Sequence, residues 1–216
     1  PPKVKLMATA NHTVRFNPNL YAVGHVCLSI LNTWNGTPWS PALTVSTVLI
    51  SIQSLMNEEP YHNEPGYEKN RRIDSSQEVK NYNDIIVHET LRVAVCGMLE
   101  GCYQDTSGLP IRLRQIMEQK FKDNYEKYAE IAKSKCSLNS NRMIDPFGST
   151  KRGTFDFDAI MIKMKNIYDN LISINPEPMV VIPQPIVTNK GNNAPDYDDD
   201  FDFNYDSDSE IEQETE

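Results

Sequence analysis

No stretch of this 216-residue chain approaches the roughly 20 consecutive apolar residues that a membrane-spanning helix needs, and the first residues lack the basic, apolar and small-residue regions of a secretory signal. Neither membrane insertion nor secretion is expected. Cysteine is scarce: Cys27, Cys96, Cys102 and Cys136 form no CxxC pair and have no histidine at ligand spacing beside them. A zinc site is therefore not expected, whereas reduced thiols in the cytoplasm or nucleus are. Basic residues stop at Lys190, and eleven acidic residues follow. Without those eleven, 19 acidic residues stand against 21 basic ones, so the net charge of −9 belongs to the tail and the body is close to neutral. Such a body is a poor partner for nucleic acid, because phosphate binding needs clustered basic charge. No internal repeat is present. The four histidines, His12, His25, His62 and His88, are scattered, and none completes a Cys-His-Asp order.

What is present is a short sheet-like opening followed by helices. Val4, Leu6 and Ala8 alternate with Lys3, Lys5 and Met7, the period of a half-buried strand, and Asn11-His12-Thr13 makes a turn before Val14-Arg15-Phe16. The abrupt start at Pro1 in Pro1-Pro2-Lys3-Val4-Lys5 gives the expectation of a piece of a longer protein. Residues 17–39 carry Asn-rich and Gly-containing breaks and are expected to be loop or single turns. Val45, Val48, Leu49, Ile52, Leu55 and Met56 then recur at helical steps, with Thr44 placed to cap the start and Pro60 closing the end. Residues 58–79 are charged and turn-rich and are expected to be a surface loop.

Helical spacing returns less regularly from Tyr82 through Ile85, Ile86, Val93, Cys96 and Leu99. A longer helix is expected from Leu113 to near Cys136, an irregular segment over 139–153, and the cleanest stripe over Phe157, Ile160, Met164, Ile167, Leu171 and Ile174. Beyond residue 175, prolines and acids leave too little apolar surface to offset chain entropy, so 176–216 is expected to be disordered. Trp34 and Trp39 are expected to anchor loops in the core.

The residue with chemistry is Cys27, on a loop edge before the apolar stretch Leu28-Ser29-Ile30-Leu31. A deprotonated thiol is a nucleophile, and the amide of Asn19, eight residues earlier, could donate to an oxyanion at an acyl carbon. The plainer alternatives are a buried thiol acting as a small hydrophobe and an Asn bonding its own turn. His25 is better explained as an exposed edge residue than as a base for Cys27. Cys96, Cys102 and Cys136 read as packing or incidental thiols.

Four ordered blocks decide between these alternatives. Pro1-Pro2-Lys3-Val4, Asn17-Pro18-Asn19, Gly24-His25-Val26-Cys27-Leu28-Ser29-Ile30-Leu31 and Trp39-Ser40-Pro41-Ala42-Leu43 together resemble the second half of a ubiquitin-conjugating enzyme. Ser51-Ile52-Gln53-Ser54-Leu55-Met56, the run from Glu59 to Glu68, and Lys151-Arg152-Gly153 with the acidic tail resemble the large, atypical branch of that family. The resemblance implies an α/β (α+β) conjugating-enzyme fold, truncated at its N-terminus here. Residues 1–105 would be the later part of the core domain, 106–175 a helical C-terminal extension, and 176–216 a disordered acidic tail.

It implies further that Cys27 accepts ubiquitin as a thioester and that Asn19 supports the oxyanion or the local loop. Asn17 stands where the family has His, which points to altered loop packing. An acidic residue after the second helix usually orients the incoming lysine. The register leaves both Asn63 and Glu64 as candidates, against the plain alternative of a solvated loop. Pro41 and Ala42 would meet a ubiquitin ligase, unless Pro41 simply starts a helix. Implied partners are ubiquitin, a tandem ubiquitin-like modifier, a ubiquitin-activating enzyme, ligases and protein substrates. No cofactor or metal is expected on this chain, since ATP is used by the activating enzyme. The competing class is a catalytically inactive ubiquitin-conjugating-like binding module, and a third, a cysteine hydrolase, would need a His base at Cys27.

Overall fold

In a computed structural model of the chain, residues 1–69, 76–104, 108–148 and 152–174 are described. The expected disordered tail, 176–216, lies outside them. Among the described residues five α-helices follow in order: α1 Val45–Ser54, α2 Ser76–Glu89, α3 Met98–Tyr103, α4 Ile111–Ser134 and α5 Phe157–Ile174. A π-helical segment, Thr90–Gly97, joins α2 to α3, and short 3₁₀ turns lie at Ser29–Leu31, Pro60–Asn63 and Cys136–Leu138.

The opening strand is corrected. Residues 1–8 alternate between exposed and half-buried as period 2 requires, but among the described residues none lies in a strand ladder. A strand is a pairing, and among the described residues a single backbone bond ties this segment to the turn around Gly24, Leu6 N–H to the Gly24 carbonyl at 2.9 Å. The remaining sheet-like contacts are isolated bridges, Asn17 with Leu20, Leu20 with Val26, and Arg142 with Thr154. Gly24 has φ +90°, and a Cβ there would sit 2.6 Å from the Leu6 carbonyl oxygen, so close approach and left-handed backbone both demand glycine.

α1 begins where its cap predicts. Thr44 Oγ1 accepts the Thr47 amide and Thr47 Oγ1 accepts the Thr44 amide, a reciprocal capping box. Val48 turns inward to join Leu20, Val26 and Leu31 in a small core, with Leu6, Trp39 and Ile52 packed on it. Trp39 therefore anchors its loop, whereas Trp34 is half exposed and does not.

α2 starts at Ser76, inside the segment expected to be loop, and the irregular apolar spacing after Tyr82 has its reason in the π segment. One extra residue per turn shifts Leu91, Val93 and Cys96 off a 3.6-residue stripe while keeping all three buried. A second core joins Ile85, Leu91 and Cys96 to Phe121 and Ala132 of α4 and to Phe157, Ile160, Met164, Ile167 and Leu171 of α5. α5 occupies the predicted span from Phe157 to Ile174, and Phe157, Ile160, Met164, Ile167 and Leu171 of its stripe are buried. Among the described residues no helix is long and apolar enough to cross a membrane, and no cluster of His, Cys, Asp or Glu could hold a metal ion.

Candidate active site around Cys27

Asn19 and Cys27 meet because the chain doubles back between them. Gly24 N–H bonds the Tyr21 carbonyl and Tyr21 N–H bonds the His25 carbonyl, each at 2.9 Å, closing a tight turn. The pairing continues outward: Cys27 N–H donates to the Asn19 carbonyl at 2.9 Å, and Asn19 Nδ2 donates to the Cys27 carbonyl at 3.1 Å. The residues on either side of the thiol are pinned by one hydroxyl that the sequence reading missed. Thr33 Oγ1 donates to the Val26 carbonyl at 2.7 Å and accepts the Leu28 amide at 3.0 Å. The backbone through Cys27 is thus fixed on both flanks.

Asn17 fixes the other end of the turn. It is 1% exposed; its Nδ2 donates to the Leu55 carbonyl at 2.8 Å and its Oδ1 accepts the Asn19 amide at 2.9 Å. One amide supplies both a donor and an acceptor, so the turn is tied to the end of α1. Asn63 shares that anchor, donating to the same Leu55 carbonyl at 3.2 Å while its Oδ1 accepts from Asn57. Its side chain therefore braces the loop after α1.

Cys27 is 6% exposed, more covered than a loop-edge residue would be. Burial pushes its thiol up from the ordinary value. The Arg15 guanidinium and the Tyr21 hydroxyl, in side-chain hydrogen-bonding reach, pull it down, Glu64 pushes it up, and the balance stays raised. The Glu64 charge is felt at the thiol, but it is not a free carboxylate: Arg15 Nη2 pairs with its Oε2 at 2.8 Å. The same nitrogen donates to the Pro18 carbonyl, and the guanidinium lies 4.4 Å from the Tyr21 ring centre. Arg15 and Tyr21 had no motif to mark them. The turn sequence hides a pair that only the 49-residue closure from Arg15 to Glu64 assembles.

Pro41 and Ala42 are exposed, and the turn that carries them is held from within: Leu43 N–H bonds the Ser40 carbonyl at 2.9 Å and Ala42 N–H approaches Ser40 Oγ at 3.4 Å. His25 is exposed and faces the Tyr21 ring at 6.0 Å. Cys96 and Cys102 are buried in the helical part, and burial pushes Cys96 up to about 11.

The Cys27 thiol thus lies on a loop braced by the Asn17-Pro18-Asn19 turn, with the capped helix α1 following. The family model described as ubiquitin-conjugating enzyme matches residues 1–90 of the 216. Its relatives include ubiquitin-conjugating enzyme E2 Z of Xenopus tropicalis, 53% identical over 171 residues, which are 79% of this chain and 52% of that protein. The human E2 Z is 53% identical over 164 residues, 76% of this chain and 44% of that protein. A human dual E2 ubiquitin-conjugating enzyme/E3 ubiquitin-protein ligase, BIRC6, is 50% identical over 125 residues, 54% of this chain and 3% of that protein. The chain spans about half the length of the E2 Z relatives it matches. The 171-residue match is longer than the 90-residue family segment, so similarity to E2 Z includes residues of the later helical part.

Proposed function

We propose that this chain carries the acceptor cysteine of a ubiquitin-conjugating enzyme. Cys27 Sγ attacks the carbonyl carbon of the thioester that links ubiquitin's C-terminus to an activating enzyme. The activating-enzyme thiol leaves with a proton, and ubiquitin is then held on Cys27 until a substrate lysine or a ligase takes it. The observation that carries this reading is the double pairing of Asn19 with the Cys27 backbone inside the segment that matches the family. The Asn19 amide has two protons, one engaged by the Cys27 carbonyl and one left for an oxyanion, so bracing and transition-state roles are compatible.

The finer assignments follow from the same reading. Glu64, close to Cys27 and paired with Arg15, is the acidic group that orients the incoming lysine, while Asn63 braces its loop. Pro41 and Ala42 form the exposed ligase-facing turn. Residues 1–105 complete the core domain and 106–175 extend it. Acceptance of a tandem ubiquitin-like modifier, and residence in cytoplasm and nucleus, are parts of the same proposal. A conjugating-like binding module without activity would have no use for the thiol.

The test is a gel of the protein with activating enzyme, ATP and ubiquitin, with and without reductant. A reductant-sensitive adduct that Cys27→Ala abolishes supports the proposal, and an adduct that survives Cys27→Ala refutes it.

A further inference from the structure

Arg15 is the cation beside Cys27, and its own side-chain bonds leave it under-anchored. Nη2 is divided between Glu64 and the Pro18 carbonyl, and Nε is buried with no hydrogen-bond partner. The missing support comes from the opposite end of the described chain. Arg152, 137 residues later, places Nη1 and Nη2 at 3.5 and 3.4 Å from the Arg15 carbonyl oxygen. Its Nε donates to Asp145 Oδ2 at 2.6 Å, in an ion pair whose side chains are 4% and 2% exposed.

The other oxygen of that carboxylate accepts the Phe147 amide at 3.0 Å. Phe147 then stacks on Tyr61 at 5.4 Å, meets Tyr82 edge-on at 5.0 Å and lies 6.0 Å from the Arg15 guanidinium. One buried carboxylate therefore holds both the fork that grips Arg15 and the ring beside it. Arg has the geometry for this, since a planar guanidinium serves a carboxylate and a carbonyl at once.

We propose that Arg152, locked by Asp145, is a positioning residue for the Cys27 site: it fixes Arg15, and Arg15 sets the charge felt by the thiol. The proposal rests on the reading of Cys27 as the acceptor. It makes Asp145, Phe147 and Arg152, outside the segment matched by the family model, part of the working site, and gives a role to Arg152 of the motif singled out in the sequence. The charged and titratable groups that face this assembly include Arg15, Glu64 and the Tyr21 hydroxyl around the thiol, His25 across the Tyr21 ring, Asp145 and Tyr82 beside Arg152, and His88, Glu89, Arg92, Asp156 and Lys163 lining the same cavity as Arg152. The Tyr82 hydroxyl is buried without a partner among Arg152, Arg15, Asp145 and Glu64, so the assembly contains an uncompensated polar atom that tight placement must tolerate.

The test is the pH dependence of Cys27 alkylation by iodoacetamide in the whole chain, read by peptide mass so that Cys96, Cys102 and Cys136 are counted apart. Arg15→Gln should move the profile to higher pH. Arg152→Gln should move it the same way by about half a pH unit, a roughly threefold slower reaction near neutrality. The double variant should match Arg15→Gln alone, because Arg152 acts through Arg15. Asp145→Leu combined with Arg152→Met removes the clamp while replacing the buried pair by apolar side chains of similar volume, and should give the Arg152→Gln profile in a folded chain.

An unmoved profile in both Arg152 variants overturns the proposal, and so do additive shifts. Unfolding of both overturns it as well, since the pair then serves the fold alone. Alkylation needs no activating enzyme, so failure of this clamp and failure of the thioester reading are separate results.

Discussion

Asn19 grips Cys27 from both sides of its peptide unit, donating Nδ2–H to the Cys27 carbonyl at 3.1 Å and accepting the Cys27 amide on its own carbonyl at 2.9 Å. The two bonds differ in what a mutation removes. The second is backbone and survives any side chain at position 19; the first does not. The loop is therefore weakened by Asn19→Ala, but the pairing that brings residues 19 and 27 together is kept.

Asn19→Ala is accordingly expected to accept ubiquitin on Cys27 yet to discharge it to free lysine about 100-fold more slowly, the scale of one lost oxyanion donor. The loss of a single side-chain bond should lower stability by only about 1 kcal/mol. Single-turnover discharge alongside urea unfolding separates the two effects. Discharge equal to the parent would leave Asn19 as a loop brace only.

Asn17 carries the opposite balance. It touches neither the thiol nor its carbonyl, but its buried amide joins the Asn19 amide to the Leu55 carbonyl. Asn17→Ala leaves the Asn19 N–H unsatisfied, while Leu55 keeps Asn63 as a partner. The expected cost is about 2 kcal/mol in urea unfolding, with discharge slowed through a looser turn. Asn17→Ala as stable as the parent would show that water replaces the bond and that the turn holds itself.

How far these contacts were legible depends on their separation along the chain. The Thr44 cap and the α5 stripe were readable because each is written within a few turns of helix. The opening strand was misread because alternation reports a face, not a partner, and the π segment blurred the spacing between Tyr82 and Leu99. Thr33 offered a weak local signal, a hydroxyl six residues after Cys27 able to bond nearby backbone. Arg15 with Glu64, and Arg152 with Arg15, offered none, because 49 and 137 residues separate the partners and charge alone does not state which pairs close. The contact of Asn19 with Cys27 was suggested by their eight-residue separation and by their place in a resemblance.

Buried thiols make stability depend on alkaline pH. Cys96 is fully buried and its thiol is pushed up to about 11 by burial. A folded value above the unfolded one means that the contribution is complete below the unfolded thiol value, near pH 8.5, and is lost as pH rises through the folded value. Between about pH 8.5 and 11 the chain should lose at most about 3 kcal/mol from this group. Cys96→Ala should be less stable at pH 7 because of the cavity, but flatter across that window. Equal slopes in urea titrations of the two proteins would show that Cys96 ionises without unfolding cost.

Glu89 works at the acid end. Burial pushes its carboxyl up, but hydrogen bonds from His88 and Arg92 outweigh burial and hold it below the ordinary value. The His88 Nε2 accepts the Asp156 amide at 3.1 Å, which leaves Nδ1–H to donate to Glu89. A depressed folded value gives stability that is present above the unfolded value, about pH 4.3, and is lost as pH falls through the folded one. Glu89→Gln should therefore flatten the acid limb of a stability–pH curve and lower the neutral plateau. An unchanged acid limb would mean that the His88–Glu89–Arg92 cluster opens before it titrates.

Glu64 separates two steps of the proposed reaction by sign. Its charge raises the Cys27 thiol, so Glu64→Gln should lower the pH at which Cys27 alkylates and speed loading at neutral pH. If the same carboxylate orients the attacking lysine, discharge should slow in that variant even as loading quickens, most visibly below the pH at which free lysine is already neutral. Asn63→Ala, whose side chain binds Leu55 and Asn57, should leave the discharge profile where it is. Faster loading with unchanged discharge in Glu64→Gln would confine Glu64 to holding Arg15, and slower discharge in Asn63→Ala would transfer the lysine role to that neighbour.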